Sequence, residues 1–289
     1  MKTDNIEILV ETLRLLNQGY YNVNGKTVEL QLSKEQMEVS RVLLPEEIHS
    51  ICNGSFVNQF KERCKVDCIK LDSFAAAIQM DKKRRAAGKD VKPILVLNFA
   101  NPVNIGGGVY KGASAQEEDL CRRSSLLKSL ENSKAFPYYN YNRNLHTHMG
   151  SDAVIISPEV EIIRDEYGNC LEETTVVSVL TCAAPMISYG LEGLTEREYL
   201  DMFYYRITGI LDCAAYLGYE DLVLGAWGCG AFGNNAKVVS DLFYTALSKR
   251  REGMFREIVF AVRSGNTNTY NFTEFYRNFG KDNWDRDLI

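Results

Sequence analysis

The chain has 289 residues, 45% of them hydrophobic and 25% charged, with a net charge of -5 and a pI near 5.4. Those values suit one large globular domain or two small ones, with room for a sizeable core. The acidic balance excludes a protein whose main task is gripping a nucleic-acid backbone, although an anion held by backbone N–H groups needs no positive net charge.

In chain order, "MKTDNIEILVETLRLL" has apolar residues at helical spacing over 4–18, with Ile6, Leu9, Leu13 and Leu16 on one face. Its acids do not fit a secretory leader, and no apolar run reaches the roughly 18 residues of a membrane span. The expected setting is the cytoplasm. "YYNVNGKTVELQL" reads as a hairpin turning at Asn24-Gly25. "LSKEQMEVSRVLL" and "PEEIHSIC" read as short helices, the second with Pro45 in its first turn.

A rhythm of strands and helices follows. "KVDCIKL" is a strand, Asp72-Ser73 can cap the helix "FAAAIQMDKKRRAA", and Gly88 ends that helix. "PILVLNFA" is a nearly continuous apolar run, as in a strand buried on both faces. A glycine loop leads to the helix "AQEEDLCRRSSLLKSL". "AVIIS" and "TTVVSVLTCAA" are strands, with Asp165 to Asn169 as a connecting turn. Then come the long helix "LTEREYLDMFYYRITGILDCAAYLG", the strand "DLVLGAW", the glycine loop "GCGAFGNN", a helix over 235–251, the strand "EIVFAV" and a closing helix "NFTEFYRNF".

This alternation predicts a three-layer α/β fold. Ligands of such sheets gather at the C-terminal ends of the strands. Asp72-Ser73, the loop from Asn101 to Glu118, and Gly228 to Asn235 all fall at such ends. Cys52, Cys64, Cys68, Cys121, Cys170, Cys182, Cys213 and Cys229 contain no C-x-x-C pair and read as free thiols of a reducing compartment. His146 and His148 have no further ligand pair nearby and read as surface or packing residues. No metal site is expected.

The triplet Gly106, Gly107 and Gly108 is more than a turn needs. Bare N–H groups in succession let another molecule approach the backbone. Gly228, Cys229, Gly230, Ala231, Phe232 and Gly233 repeat the arrangement after a second strand, and small residues before a helix start suit a diphosphate. Phe232 either packs under this loop or stacks against a sugar. Neither loop ends in Gly-Lys-Ser/Thr, so neither is a P-loop, and the first lacks G-x-G-x-x-G.

Ser114 to Glu117 match the capping box S-x-x-E, which gives Glu117 a structural use in a bond back to Ser114 N–H. Glu118 has no such use. It either stays solvated in a first turn whose dipole favours acids or takes part in glycosidic chemistry. Glycosidases commonly place two carboxyls roughly 5 Å or more apart across the bond. Neighbours on one helical turn cannot straddle a bond, so one would move the proton and the other would hold a hydroxyl. A helix N-terminus favours the ionised form, whereas a bound diphosphate would favour the protonated one.

"GGG", seven residues and then "QEE" resembles the signature of poly(ADP-ribose) glycohydrolases. "VLNFANPVNIGGGVYKGASAQEEDLCRRSSLL", "IISPEVEIIRDEYG", "VLTCAAP" and "LVLGAWGCGAFGNN" are similar to the microbial-type, bacterial branch. The resemblance covers roughly residues 60 to 280 and implies a three-layer α/β/α macrodomain with a mixed central sheet over 61–289; residues 1–60 match only loosely and are expected to form accessory helices and a hairpin packed on that core. It implies that Glu118 is the catalytic acid that protonates the leaving ribose oxygen and then activates water, while Glu117 binds and orients ribose hydroxyls, a role that needs no choice between capping and function. Gly106 to Gly108 and Gln116 would shape the catalytic loop, and Asn101 would contact the ribose being cleaved. Gly228, Cys229, Gly230, Ala231, Phe232, Gly233 and Asn234 would wrap the diphosphate, with Phe232 against the distal ribose. Asp72 resembles the acid that accepts from the adenine amino group. The many Tyr and Phe residues single out no ring to stack on the adenine. Ile105 stands where this branch often has Pro.

The implied substrate is poly(ADP-ribose) or an ADP-ribosylated protein and the product ADP-ribose, with no cofactor and no direct contact to nucleic acid. An ADP-ribose reader, or a hydrolase of another ADP-ribosyl linkage, would share the fold and both loops. A dinucleotide-dependent dehydrogenase is disfavoured, because no acid stands about 20 residues beyond the first glycines at a separate strand end.

Overall fold

The computed structural model describes residues 2–54, 60–88, 92–249, 253–264, 269–281 and 284. Helix α1 (Lys2–Gln18) leads into strands β1 (Tyr20–Val23) and β2 (Lys26–Glu29), paired antiparallel. Asn24 and Gly25 both have positive φ, the hairpin turn expected of Asn-Gly.

The next segment departs from expectation. Of the helix read over 32–44, only α2 (Lys34–Met37) is helical, closed by a capping box between Ser33 and Gln36. The chain then straightens into strand β3 (Arg41–Leu43). The buried Glu161 carboxylate accepts the N–H groups of Gln31 and Leu32, and Ser129 Oγ donates to Val39 O. Those long-range bonds draw the segment onto the sheet and override its helical spacing. Helix α3 (Pro45–Cys52) begins at Pro45 as read.

Strand β4 (Lys65–Ile69) is followed by helix α4 (Ser73–Ala86), capped by Asp72 and ended at Gly88 with positive φ. Strand β5 (Leu95–Phe99) precedes the first glycine loop. The single helix read over 115–130 is two helices, α5 (Gln116–Arg123) and α6 (Leu126–Glu131). Ser124 is extended and bridges to Ile162, and Ser125 exchanges bonds with the Glu161 backbone. Serine hydroxyls compete with the helical ladder, and here the sheet edge wins.

Helix α7 (Phe136–Leu145) occupies the aromatic, Asn-rich stretch, where the sequence predicts no element. Strands β6 (Val154–Arg164) and β7 (Cys170–Cys182) are longer than expected and turn at Asp165, whose carboxylate caps Tyr167 and Asn169 N–H. Helix α8 (Glu196–Tyr216), strand β8 (Asp221–Leu224), helix α9 (Ala236–Ser248), strand β9 (Glu257–Ala261) and helix α10 (Tyr270–Phe279) complete the chain.

The main sheet has seven strands in the order β3-β6-β7-β5-β8-β9-β4. From β7 to β4 the pairings are parallel, and β6 is antiparallel to both its neighbours. The sheet is therefore mixed, as the family resemblance implied, and one of its two edge strands, β3, comes from the first sixty residues.

Alternation along the central strands fills both faces. Leu95, Leu97, Leu222, Leu224, Ile258 and Phe260 pack with residues of α8, α9 and α10. Val96, Val177, Val179, Val223 and Val259 pack with α1 and α4 to α7. Side chains of a strand point to opposite faces with period two, so one apolar run serves two cores. Three layers result, α/β/α. A smaller cluster seats α1 and the hairpin on the far end of β6.

The eight cysteines are free, all buried except the half-buried Cys52, Cys170 and Cys229. His146 and His148 are exposed, and His148 packs its ring 5.0 Å from that of Tyr189. Among the described residues no helix is long and apolar enough to cross a membrane.

Candidate active site

The strands β7, β5, β8, β9 and β4 end on one edge of the sheet, and the unusual segments meet there. A cavity of about 300 Å³ opens at these ends, at the lower limit for small-molecule sites. Its walls include Asp72 and Ser73 after β4, Phe99 ending β5, Ala115, Gln116 and Asp119 of the α5 start, and Gly228, Gly230, Ala231 and Phe232 of the second loop.

The two acids lie just behind this wall, folded under the first glycine loop. Glu117 is only 3% exposed and Glu118 only 8%. Gly108 N–H donates to Glu118 Oε1 at 2.8 Å, and Glu118 Oε2 is buried without a hydrogen-bond partner. Gly106 and Gly107 are in the left-handed region, with φ of 62° and 60°. A Cβ on Gly107 would overlap Glu118 Oε1 and stand 3.1 Å from Glu117 Oε2. Gly107 is thus required by close approach of backbone to both carboxyls, whereas a Cβ on Gly106 would meet Leu127 and one on Gly108 would meet Ala113.

Glu117 does not form the expected capping box. The N-cap of α5 is Ala115, with no side-chain cap, and Ser114 lines the cavity. Glu117 Oε2 instead accepts Asn101 N–H at 2.7 Å, and Oε1 accepts Asn98 Nδ2 at 3.2 Å. The packing of α5 against the end of β5 outcompetes the local bond. Burial drives the Glu117 carboxyl up to about 8, opposed by the Asn101 and Asn98 bonds and reinforced by the Glu118 charge. Desolvation therefore outweighs the helix dipole at this position.

Asn101 Oδ1 accepts from Val103 and Asn104 N–H, so this residue shapes the loop as well as holding Glu117. Gln116 stitches the helix to the sheet: its Oε1 accepts Phe99 N–H at 2.8 Å, and its Nε2 donates to Leu97 O and Ser73 Oγ. Arg122, buried in the last turn of α5, donates to Ala113 O and pins the loop from below.

The second loop is anchored differently. Asn234 is buried, and its amide donates to Pro185 O at 2.8 Å and Gly228 O at 3.0 Å while accepting from Tyr199 OH at 2.7 Å. The Asn234 side chain therefore bonds the protein behind the loop and does not line the cavity. Cys229 and Gly233 also lie outside the cavity wall; Gly233 backs onto Ser188. Gly230, Ala231 and Phe232 face the cavity, and Phe232 O accepts the N–H groups of Ile187 and Ser188.

Asp72 closes the other end. Its Oδ1 accepts Ala75 N–H and pairs with Arg123 Nη1, both at 2.9 Å. Burial would raise its pKa, but Arg123, the Ala75 N–H and Arg263 together hold it below the usual carboxylate range. Arg123 is 2% exposed and also binds Asp119 Oδ2 at 2.8 Å.

Residues 10–165 match the family described as the microbial-type PARG catalytic domain. The whole fold is similar to the poly(ADP-ribose) glycohydrolase of Thermomonospora curvata, at 30% identity and a TM-score of 0.85, over 96% of this chain and 100% of that one. The same enzyme bound to the inhibitor ADP-HPD matches with a TM-score of 0.82 at the same identity and coverage. The poly(ADP-ribose) glycohydrolase of Deinococcus radiodurans in complex with ADP-ribose matches at 31% identity and a TM-score of 0.78, over 91% of this chain and 100% of that one. The chain belongs to the microbial-type poly(ADP-ribose) glycohydrolase family. No curated protein matches the sequence.

In this glycohydrolase of macrodomain fold, the glycine triplet and the adjacent acids are tied to β5 through Asn98, Asn101 and Gln116. The sequence does not single out Asp119, Arg263 and Asn271, which line the cavity, or Asn98 and Arg123, which bond its acids. Asn98 carried one signal, a polar residue inside an otherwise apolar buried strand. Arg123 shows in sequence only its i,i+4 pairing with Asp119, while its bond to Asp72 and both contacts of Arg263 join residues far apart in the chain.

Proposed function

We propose that this chain hydrolyses the ribose–ribose O-glycosidic bond of poly(ADP-ribose) and releases ADP-ribose, with Glu118 as general acid and then general base. The observation that carries the reading is the asymmetry of the Glu118 carboxyl. One oxygen is fixed by Gly108 N–H and the other is buried and unbonded, whereas both oxygens of Glu117 are engaged. An oriented carboxyl with one uncommitted oxygen is suited to passing a proton in each direction.

In this reading the diphosphate lies along Gly228 to Phe232, the adenine amino group meets Asp72, and the distal ribose sits by Phe232 and Asn101. Glu118 gives its proton to the leaving ribose oxygen as the bond to the anomeric carbon breaks. Positive charge develops on the sugar and is offset by the neighbouring diphosphate. Water then attacks the anomeric carbon and returns a proton to Glu118. Glu117 holds the ribose hydroxyls, and the incoming diphosphate brings negative charge that favours a proton on the acid pair. The partner is poly(ADP-ribose) or an ADP-ribosylated protein, and residues 1–60, apart from the edge strand β3 that they lend to the main sheet, act as an accessory layer on the catalytic domain.

The test is release of free ADP-ribose from poly(ADP-ribose) by the wild type and by Glu118→Gln. Glutamine keeps the shape and cannot cycle a proton. Release is expected to fall about 10²–10⁴-fold, with ADP-ribose binding retained. A wild type that binds ADP-ribose but leaves the polymer intact would be a reader or would cut another ADP-ribosyl linkage.

A further inference from the structure

At the Asp72 end of the cavity one planar cation remains to be explained. Arg263 follows β9, lines the cavity and is 56% exposed. Its Nη2 stands 3.5 Å from Asp72 Oδ2 and 3.3 Å from Asp119 Oδ2. The aromatic rings of the cavity wall are committed elsewhere. The Phe99 ring reaches under Gly225, Trp227 is fully buried with Nε1 donating to Cys182 O, and Phe232 belongs to the second loop.

The bonding of Asp72 makes Arg263 matter. Oδ1 already takes two bonds, from Ala75 and from Arg123. Among the described residues Oδ2 faces only Arg263. An amino group that donates to Asp72 must therefore use the oxygen that Arg263 guards. A long ion pair on a half-exposed side chain is weak, so Arg263 can yield this oxygen and keep Asp119. A guanidinium so placed lies at the base subsite, and such planes stack on purine faces as an aromatic ring does.

Resting on the ADP-ribose reading above, we infer that Arg263 is the base-recognition residue of this enzyme. It covers Asp72 Oδ2 in the free protein, surrenders it to the adenine amino group, and lays its guanidinium against the base while paired with Asp119. Arg123 keeps both carboxylates in place throughout, since it binds each of them independently of Arg263.

Calorimetric titration of ADP-ribose into the wild type, Arg263→Ala and Arg263→Lys tests this. Both variants are expected to bind about tenfold more weakly, because lysine keeps the charge and lacks the plane. In hydrolysis both are expected to raise KM and leave kcat within about twofold. Thermal unfolding is expected to stay unchanged, which separates recognition from folding. Full rescue by lysine would make Arg263 a simple anion contact and overturn the inference, as would an unchanged alanine variant. If the wild type itself fails to bind ADP-ribose, the ADP-ribose reading fails with it, an outcome distinct from variant-specific results.

Discussion

The two glycine loops look alike in sequence and differ in what presses on them. Gly107 is closed in by the carboxyls of Glu118 and Glu117, whereas a Cβ on Gly230 would meet nothing within 4 Å. The first loop is a lid shaped around two acids of its own chain. The second is an open cradle whose fixed points lie at its ends, Gly228 against Asn234 and Ala184, and Gly233 against Ser188. A run of glycines therefore has two distinct meanings in this one molecule: approach of backbone to protein in the first case, and room for another molecule in the second.

Substitution at the two centres should break the likeness most sharply. Gly107→Ala combines left-handed backbone with overlap on Glu118, and misplacement of the acid is expected to lower ADP-ribose release about 10²-fold. Stability should fall by about 1–2 kcal/mol from the backbone alone. Gly230→Ala, which has neither constraint, should leave stability within about 0.5 kcal/mol in the same denaturant melts. Equal effects at the two positions would sink the distinction.

The ends of the second loop come next in size. Asn234→Ala leaves Tyr199 OH and Pro185 O without their partner, while Gly228 O keeps the backbone N–H of residue 234. The expected loss is about 1–3 kcal/mol of stability, with weaker ADP-ribose binding in titrations. A variant that melts as the wild type does would show that the loop is held by something else.

A pH effect separates the first loop from the second. The Glu117 pKa is raised from 4.5 to about 8 by burial, so between those values the folded protein holds a proton that the unfolded chain has released. Its contribution is fully present below about pH 4.5 and is lost as pH rises through about 8. Glu117→Gln should flatten that part of the stability–pH curve, by about 2 kcal/mol between pH 5 and 8 given partial relaxation of the site. Substitutions in the second loop should leave the slope as it is. A wild type whose stability rises over this window would contradict the buried, raised state of Glu117.

Much of this arrangement was legible in the chain. The buried run at 94–99, the two glycine loops and the acids at 117 and 118 announced a sheet-edge site, because backbone freedom and apolar periodicity are local properties. The capping box was legible and misleading. Glu117 turned from Ser114 to Asn101 and Asn98, partners sixteen and nineteen positions away, because α5 packs onto the end of β5. Strand β3 and the break at Ser124 were hidden for the same reason, since both depend on bonds to β6 and, through Gln31 and Leu32, to Glu161.

By itself, then, the sequence determined the layers, the strand ends that carry the site, and the residue types available there, all of which follow from periodicity and short-range geometry. The tertiary structure alone decided which oxygen of Glu118 is bonded, that Gly107 must be glycine, that Asn234 faces inward, and that Asp72 shares its two oxygens between Arg123 and Arg263. Those outcomes depend on desolvation and on which distant groups are brought within bonding distance, and neither is set until the layers close around the sheet.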